Sequence, residues 1–422
     1  MTTTTIPMIM GLLLVTLTLL RGTLALFRMW RHKVLTYREY EISLSDFRSR
    51  MVDLGKSVYD HANGEVGGSL KLQVMRREYE TPDKSVCSFY LESPSSERLP
   101  DFCPGQYLIA EIPSVESNGT IRRCYSLSES PYLSRSTYRI TIKQNTGTKL
   151  SGPTNLNDSG STYFHEKVRI GDCVSFSAPS GLFCLEQNST RPVVLVAGGV
   201  GLTPILSMLN ELIIQNSNRE IWLFYGVRNR AEHLMFDHLC KIRNHQSNVQ
   251  IRVFYSRPTS DCRPGLDYDY SGLVTVVAMT KMLKSDNYEF YICGPASMMT
   301  TVVDDLKFWG VQECDIFTES FGASSASVLR KPSTQKRKYF NISFKRSAMK
   351  VRWTKNNGSL LELAEACGIK ARYGCRAGQC GSCYVGLEKG EVEYSMTPTL
   401  NCKDGAFLPC VAYPQSDLII DM

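Results

Sequence analysis

The sequence predicts a multidomain chain: an N-terminal transmembrane helix, an antiparallel β-barrel, an α/β doubly wound unit and a small cysteine-rich C-terminal unit. Three observations carry that prediction. The first thirty residues are dominated by apolar side chains, the strand rhythm changes at Pro192, and four cysteines near the C-terminus stand at the spacing of a ligand set. A length of 422 residues is too much for one core, and 43% apolar with 21% charged content is that of a folded chain.

Residues 1–33 read as a membrane anchor. Ile6 to Leu20 carries no charge, and after Arg21 the apolar run resumes to Trp30, long enough to span a bilayer if Arg21 snorkels toward an interface. Arg28, Arg31, Lys33 and Arg38 follow it and no charged side chain precedes it, so the bulk of the chain is expected on the cytosolic side. A secretory signal would place its basic residues before the apolar run and a transit peptide would intersperse arginines through it, so both fit poorly. Residues 34–67 read as a polar neck.

Residues 68–188 carry short alternating runs such as YLIAEI, YRITIK and CVSFSA between Pro, Gly and Ser clusters, the pattern of an antiparallel barrel. Within it stands RRCYSLS. Arg123 can pair with a phosphate, Tyr125 can lie flat on an isoalloxazine ring, and Ser126 can offer a hydrogen bond near a hydride-accepting nitrogen. Taken alone, the same residues also describe an ordinary half-exposed strand.

Residues 189–322 change rhythm. VVLVA, IWLFYG, IRVFYS and EFYICG are buried-strand runs, each followed by helical spacing, which implies a parallel doubly wound sheet. Gly198, Gly199 and Gly201 lie between the first strand and a helix expected to begin near Thr203, so backbone donors there can face a pyrophosphate. Cys293 and Gly294 repeat that construction at a later strand end, with a structural turn as the bland reading. Residues 323–338 are Ser-rich and then basic, and read as a linker.

Residues 339–422 contain strand-like FNISFKR, a helix expected from Ser359 to Cys367, and the motif Cys375, Cys380, Cys383 with Cys410 following after 26 residues. That is the plant-type spacing for a [2Fe-2S] cluster; zinc sites more often use paired knuckles. Cys402 lies in a polar run and Cys367 at a helix end, so Cys410, closing the apolar FLPC, is the preferred fourth ligand. The other cysteines of the 15 sit mostly singly, which argues for a reducing compartment over a disulfide framework.

The net charge is +7, and from Arg330 onward the chain carries 15 basic and 8 acidic residues, so the whole excess is assigned there. A solvated linker is favoured over a footprint for an acidic partner or membrane surface, and no nucleic-acid partner is expected.

With these residues assembled, the chain from about Leu70 to Met422 resembles the ferredoxin-reductase superfamily, in the branch ordered flavin domain, nicotinamide domain, C-terminal ferredoxin, similar to the reductases of Rieske-type oxygenases such as those for vanillate and steroid 9α-hydroxylation. The resemblance implies a β-grasp ferredoxin unit. It places the flavin motif on Arg123, Tyr125 and Ser126, its phosphate side on Gly160, Ser161 and Thr162, and the nicotinamide motif on Gly198, Gly199, Gly201, Thr203 and Pro204, with Cys293 and Gly294 beside the hydride path. The segment Glu319, Ser320, Phe321 closes the nicotinamide domain, its aromatic ring over the flavin. The segment QNTGTKLSGPTNLNDSG after YRITIK departs from the family pattern.

The expected activity is NAD(P)H-dependent reduction of a flavin, which passes single electrons through the cluster to a terminal oxygenase or desaturase, Rieske-type favoured, in a membrane. Ser126 and Cys293 are the residues placed on the hydride path, and no general acid–base triad is expected. FAD is favoured over FMN and NADH over NADPH, with Arg228 or Arg257 the candidates for a 2′-phosphate contact. A non-catalytic redox sensor and a direct reductase of quinones or ferric complexes are the alternatives.

Overall fold

The structure is a computed structural model describing residues 70–113, 120–133, 136–145, 160–321, 339–369, 371, 373–374, 376, 378, 383–394 and 405–422. All of them belong to the compact unit Gly68–Met422. The expected anchor, neck and linker, at 1–33, 34–67 and 323–338, lie outside the described residues. Among the described residues no helix is long and apolar enough to cross a membrane.

The first domain contains β1 (Leu70–Tyr79), β2 (Val86–Glu92), β3 (Tyr107–Pro113), β4 (Thr120–Ser126), β5 (Thr137–Lys143), a short α1 (Gly160–Glu166) and β6 (Cys173–Phe176). The strands form one antiparallel sheet ordered β4-β3-β6-β1-β2-β5. Its two outer strands meet through a bridge between Leu127 and Ile140, and the Ser128 amide donates to the Arg139 carbonyl at 2.9 Å. That closure turns the sheet into a barrel and pairs backbone that would otherwise be an open edge. Leu72, Val74, Phe89, Leu91, Leu108, Ile140 and Phe176 fill its core.

The second domain contains β7 (Val193–Gly198), α2 (Leu202–Ile214), β8 (Ile221–Val227), α3 (Phe236–His245), β9 (Val249–Tyr255), β10 (Tyr270–Ser271), α4 (Val276–Thr280), β11 (Glu289–Cys293), α5 (Ala296–Trp309) and β12 (Ile316–Glu319). All the pairings are parallel and the order is β10-β9-β8-β7-β11-β12. The chain steps outward from β7 in one direction, then returns to β11 on its other side, so the switch point lies between β7 and β11. Both faces are covered, which is why the strands read as continuous apolar runs.

Two devices join the barrel to the α/β domain. Leu202–Leu212 of α2 is buried throughout, and its polar members are satisfied by the barrel: Ser207 donates to the Glu129 carbonyl at 2.7 Å, Asn210 donates to the Glu129 carboxylate at 2.7 Å, and the Ser130 hydroxyl donates to Glu211. At the connection itself, Arg219 pairs with Glu289 at 2.7 Å, their side chains 4% and 2% exposed, and also donates to the carbonyls of Glu186 at 3.1 Å and Arg191 at 2.5 Å.

The third domain contains β13 (Phe340–Phe344), β14 (Met349–Trp353), α6 (Leu360–Ala366), β15 (Val385–Lys389), β16 (Val392–Tyr394), β17 (Ala406–Phe407), β18 (Ala412–Pro414) and β19 (Leu418–Ile420). The main sheet runs β14-β13-β19-β15-β17, with β13 and β19 parallel and the rest antiparallel. Helix α6 packs Leu360, Leu363 and Ala364 into the same core as Phe340, Ile342, Phe344 and Trp353, a β-grasp arrangement. A capping box starts this helix: the Glu362 amide donates to the Ser359 hydroxyl and the Ser359 amide to the Glu362 carboxylate at 2.7 Å.

Removing one partner of a buried ion pair strands the other charge. Glu289→Ala should therefore cost about 3–5 kcal/mol, seen as a lower urea midpoint of the α/β domain. Arg98→Ala, which breaks the exposed Arg98–Asp101 pair of the barrel, should cost less than about 1 kcal/mol in the same denaturation experiment.

Candidate functional site

At the switch point, the end of β7 and the end of β11 touch through backbone. A methyl on Gly201 would lie 2.8 Å from the Gly294 Cα and closer still to the Cys293 carbonyl, and one on Gly294 would lie 3.0 Å from the Gly198 Cα. Gly198, Gly201 and Gly294 are thus required by close approach. Gly199 is required for a different reason: its φ is +54° while open space lies beyond it. The expected helix start is preceded by a 3₁₀ turn over Gly199–Gly201, and α2 begins at Leu202. Thr203 and Pro204 are buried, and the Thr203 hydroxyl donates to the Val200 carbonyl at 3.0 Å, tying the turn to the helix.

The barrel contributes Ser126, at the end of β4, to the same place. Its hydroxyl donates to Glu319 Oε2, at the end of β12, at 3.5 Å. Glu319 is 4% exposed, and burial pushes its carboxyl up to about 8, so it holds a proton at neutral pH. Cys293 is fully buried; burial, then the Glu319 carboxyl, pushes its thiol well up and keeps it protonated. Its side chain belongs to the core shared by Leu202, Phe183 and Tyr291. Phe321, two residues past β12, is 39% exposed. The family resemblance named Glu319 only as part of the closing segment; spacing gave no sign that its carboxyl would meet Ser126.

On the barrel, Arg123 and Tyr125 stand on β4 beside the start of α1. A methyl on Gly160 would lie 2.7 Å from the Arg123 Cγ and 2.7 Å from the Tyr125 hydroxyl, so the structure brings the two sequence-distant segments together. The Tyr125 ring packs edge-on against Phe164, 5.0 Å between centroids, and burial holds its phenol protonated. Ser161 accepts from the Asn145 amide at 3.0 Å. The Thr162 hydroxyl is buried with no hydrogen-bond partner among the described residues. A glycine cradle beside an arginine, with an orphaned buried hydroxyl two residues on, fits the phosphate side of a flavin nucleotide.

In the third domain, Cys383 and Cys410 are 4% and 9% exposed and share a small core with Leu361, Leu408 and Val411. Cys375, Cys380 and Cys402 lie outside the described residues. Gly378, between the first two cysteines of the motif, has φ +69°, and a methyl there would lie 2.9 Å from the Val411 side chain. Gly378 is therefore packed against the neighbour of Cys410. Arg376, also at positive φ (+54°), is held by a two-point pair with Glu365 of α6 and lies 3.9 Å over the Tyr373 ring. Cys367, at the end of α6, packs against the main core of the domain. Two buried thiols in one small core, with Gly378 packed on the neighbour of one of them, fit a thiolate-held cluster.

Residues 195–304 match the oxidoreductase NAD-binding domain family, and residues 348–415 match the 2Fe-2S iron-sulfur cluster binding domain family. The flavohemoprotein of Halalkalibacterium halodurans is 32% identical over 276 residues, 64% of this chain, and the match spans 65% of that relative's length. Among solved structures, phthalate dioxygenase reductase, described as modular for electron transfer from pyridine nucleotides to [2Fe-2S], is similar at a TM-score of 0.55 and 26% identity over 84% of this chain and 98% of its own. The flavohem-like FAD/NAD-binding domain of nitric oxide dioxygenase from Vibrio cholerae O1 biovar El Tor is similar at a TM-score of 0.52 and 29% identity, covering 60% of this chain and 99% of its own.

Two outcomes follow from this geometry. Between the ordinary carboxylate range and about pH 8 the unfolded chain has released the proton that folded Glu319 keeps, so stability should fall as pH rises through that window. Urea midpoints measured across it should decline for the parent and decline less for Glu319→Gln. In the third domain, Cys383→Ser and Cys410→Ser should each abolish the reduced-cluster EPR signal with flavin retained, whereas Cys402→Ser should keep it; the reverse pattern for Cys402 and Cys410 would overturn the ligand assignment.

Proposed function

Because this chain belongs to the ferredoxin-reductase superfamily of NAD(P)H oxidoreductases, with sites for NAD(H), a flavin and a [2Fe-2S] cluster, we propose that it passes single electrons from a pyridine nucleotide through its C-terminal cluster to a terminal oxygenase or desaturase held in the same membrane. The observation that carries the reading is the meeting of Ser126 and Glu319 across the barrel and the α/β domain, beside the glycine loop at the switch point. When bound, the flavin converts a two-electron donor into a one-electron supply for the cluster.

The residues of the chain do the positioning. Gly198, Gly199, Gly201 and Gly294 leave the crevice low enough for a pyrophosphate to approach backbone donors, while Thr203 and Pro204 fix the turn that aims them. Arg123, with Gly160, Ser161 and Thr162, holds the flavin phosphate side, Tyr125 flanks the ring, and Phe321 covers it from the other domain. Ser126 presents a hydroxyl at the hydride path, and Glu319, neutral through most of the physiological range, accepts from that hydroxyl without placing a charge there. Cys293 shapes the floor of the crevice. Cys375, Cys380, Cys383 and Cys410 hold the iron.

FAD is favoured by the APSGLF segment. NADH is favoured because Glu232 accepts from Arg228 at 3.0 Å and pairs with Lys143 at 3.0 Å, placing a carboxylate among the cations a 2′-phosphate would use. A sensor would not need a hydride site, which sets that reading behind; turnover without a protein partner would favour direct reduction of quinones or ferric complexes.

The membrane part rests on residues 1–33. Tethering reductase and acceptor in one bilayer raises their effective concentration, and a Rieske-type or di-iron oxygenase acting on a lipid, by analogy a sterol, is the acceptor that gives such tethering a use. Deleting residues 1–33 should leave NAD(P)H-dependent cytochrome c reduction in solution intact and lower NAD(P)H-dependent lipid oxidation in membranes. Equal lipid oxidation by the truncated protein would overturn the shared-membrane reading.

A further inference from the structure

Where the barrel hands over to the α/β domain, two segments far apart in sequence run antiparallel. The Tyr107 amide donates to the Ser180 carbonyl and the Ser180 amide returns a bond to the Tyr107 carbonyl, both at 2.9 Å. Gln106 Nε2 donates to the Gly181 carbonyl at 3.2 Å, and the Leu185 amide donates to the Pro104 carbonyl at 3.1 Å. Gly105 sits so close to Phe183 that a methyl there would collide with the Phe183 carbonyl. The chain turns between Cys103 and Gln106, whose amide donates to the Cys103 carbonyl at 3.0 Å, and the Pro104–Leu185 bond brings the preceding residues, Cys103 and Cys184, together with their thiols in hydrogen-bonding contact. Cys103 is half-buried and Cys184 is 2% exposed.

We propose that Cys103 and Cys184 are a dithiol pair that a hydroperoxide oxidises to a disulfide, stapling the floor of the barrel to the segment leading into the α/β domain. The two thiols differ in the way such a step requires. Hydrogen bonding from Cys184 draws the Cys103 thiol below its ordinary range, while the same bond, then burial, pushes Cys184 well up. The partly exposed Cys103 is therefore the attacking thiolate and the buried Cys184 the resolving thiol.

The step balances. The Cys103 thiolate attacks the terminal oxygen of the hydroperoxide, the O–O bond breaks, and an alcohol, or water when the oxidant is hydrogen peroxide, leaves with the thiol proton; Cys103 becomes a sulfenic acid. Cys184 sulfur then displaces the hydroxyl, which takes the Cys184 proton and leaves as water. Two thiols and one hydroperoxide give one disulfide, one alcohol and one water. A dithiol reductant reverses it.

The position gives the bond a mechanical meaning. Glu186, two residues past Cys184, is fixed by its amide to the Tyr291 hydroxyl at 3.0 Å and by its carbonyl to Arg219 at 3.1 Å. Tyr107, four residues past Cys103, pairs with Ser126 across β3 and β4. The staple thus joins the strand that seats Ser126 to the segment anchored on the strand that ends in Cys293.

The test uses the intact, cofactor-loaded chain with one equivalent of hydrogen peroxide, followed by alkylation and peptide mass analysis. The expected result is loss of two hydrogens, a linked pair of peptides containing Cys103 and Cys184, and recovery with dithiothreitol. In Cys184→Ala the link should vanish and Cys103 should be trapped as sulfenic acid by dimedone; in Cys103→Ser neither product should form. Oxidation of Cys103 in the parent without a link to Cys184, or a link from Cys103 to another cysteine, would overturn the proposal. Cluster absorbance unchanged by the treatment assigns the change to this pair and not to the C-terminal ligands.

Discussion

How closely two backbones can approach at the end of a parallel sheet governs the α/β half of this protein. The tips of β7 and β11 meet through the backbones of Gly198, Gly201, Cys293 and Gly294, with Pro295 and the Met298 side chain filling the space beside Gly198 and Gly294. Any Cβ there would force the strand ends apart, and with them the crevice in which a doubly wound sheet keeps its ligand. Gly199 adds a left-handed residue facing open space, so the chain turns into α2 without filling the room it has made.

That crevice becomes a reaction site only because the barrel closes over it, and the closure is polar as well as apolar. Helix α2 is buried on all sides, which would be costly for Ser207, Asn210 and Glu211 were each not matched by Glu129 or Ser130. The same packing removes water from Glu319. A carboxyl in that position is kept neutral by its surroundings, and its link to Ser126 is then a hydrogen bond between domains without the desolvation cost of a buried anion.

Much of this was legible in the sequence. Alternation gave the barrel strands, continuous apolar runs gave the doubly wound sheet, the helix expected from Ser359 to Cys367 corresponds to α6, and the glycines between strand and helix stood where a ligand crevice is expected. What escaped were the pairings between residues far apart in sequence: Leu127 with Ile140 closing the barrel, and Arg219 gathering Glu186, Arg191 and Glu289. No periodicity encodes them, because each depends on where two chain segments arrive after folding. Cys293 shows the same limit: its place at a strand end was readable, but which side of the sheet its thiol faces was set by the alternation within β11 and the core beneath it.

The Arg219 knot bears on how such reductases exchange parts. Modular proteins recombine most freely where few contacts cross a boundary, and the short segment from Glu186 to Arg191 looks from the sequence like a convenient seam. Its carbonyls at both ends are gripped by one buried guanidinium that is itself neutralised from β11. A chimera cut inside that segment would carry half of the grip into a foreign partner, so the barrel and the α/β domain are inherited as one piece. The β-grasp domain, which has a core of its own, is the separable cassette.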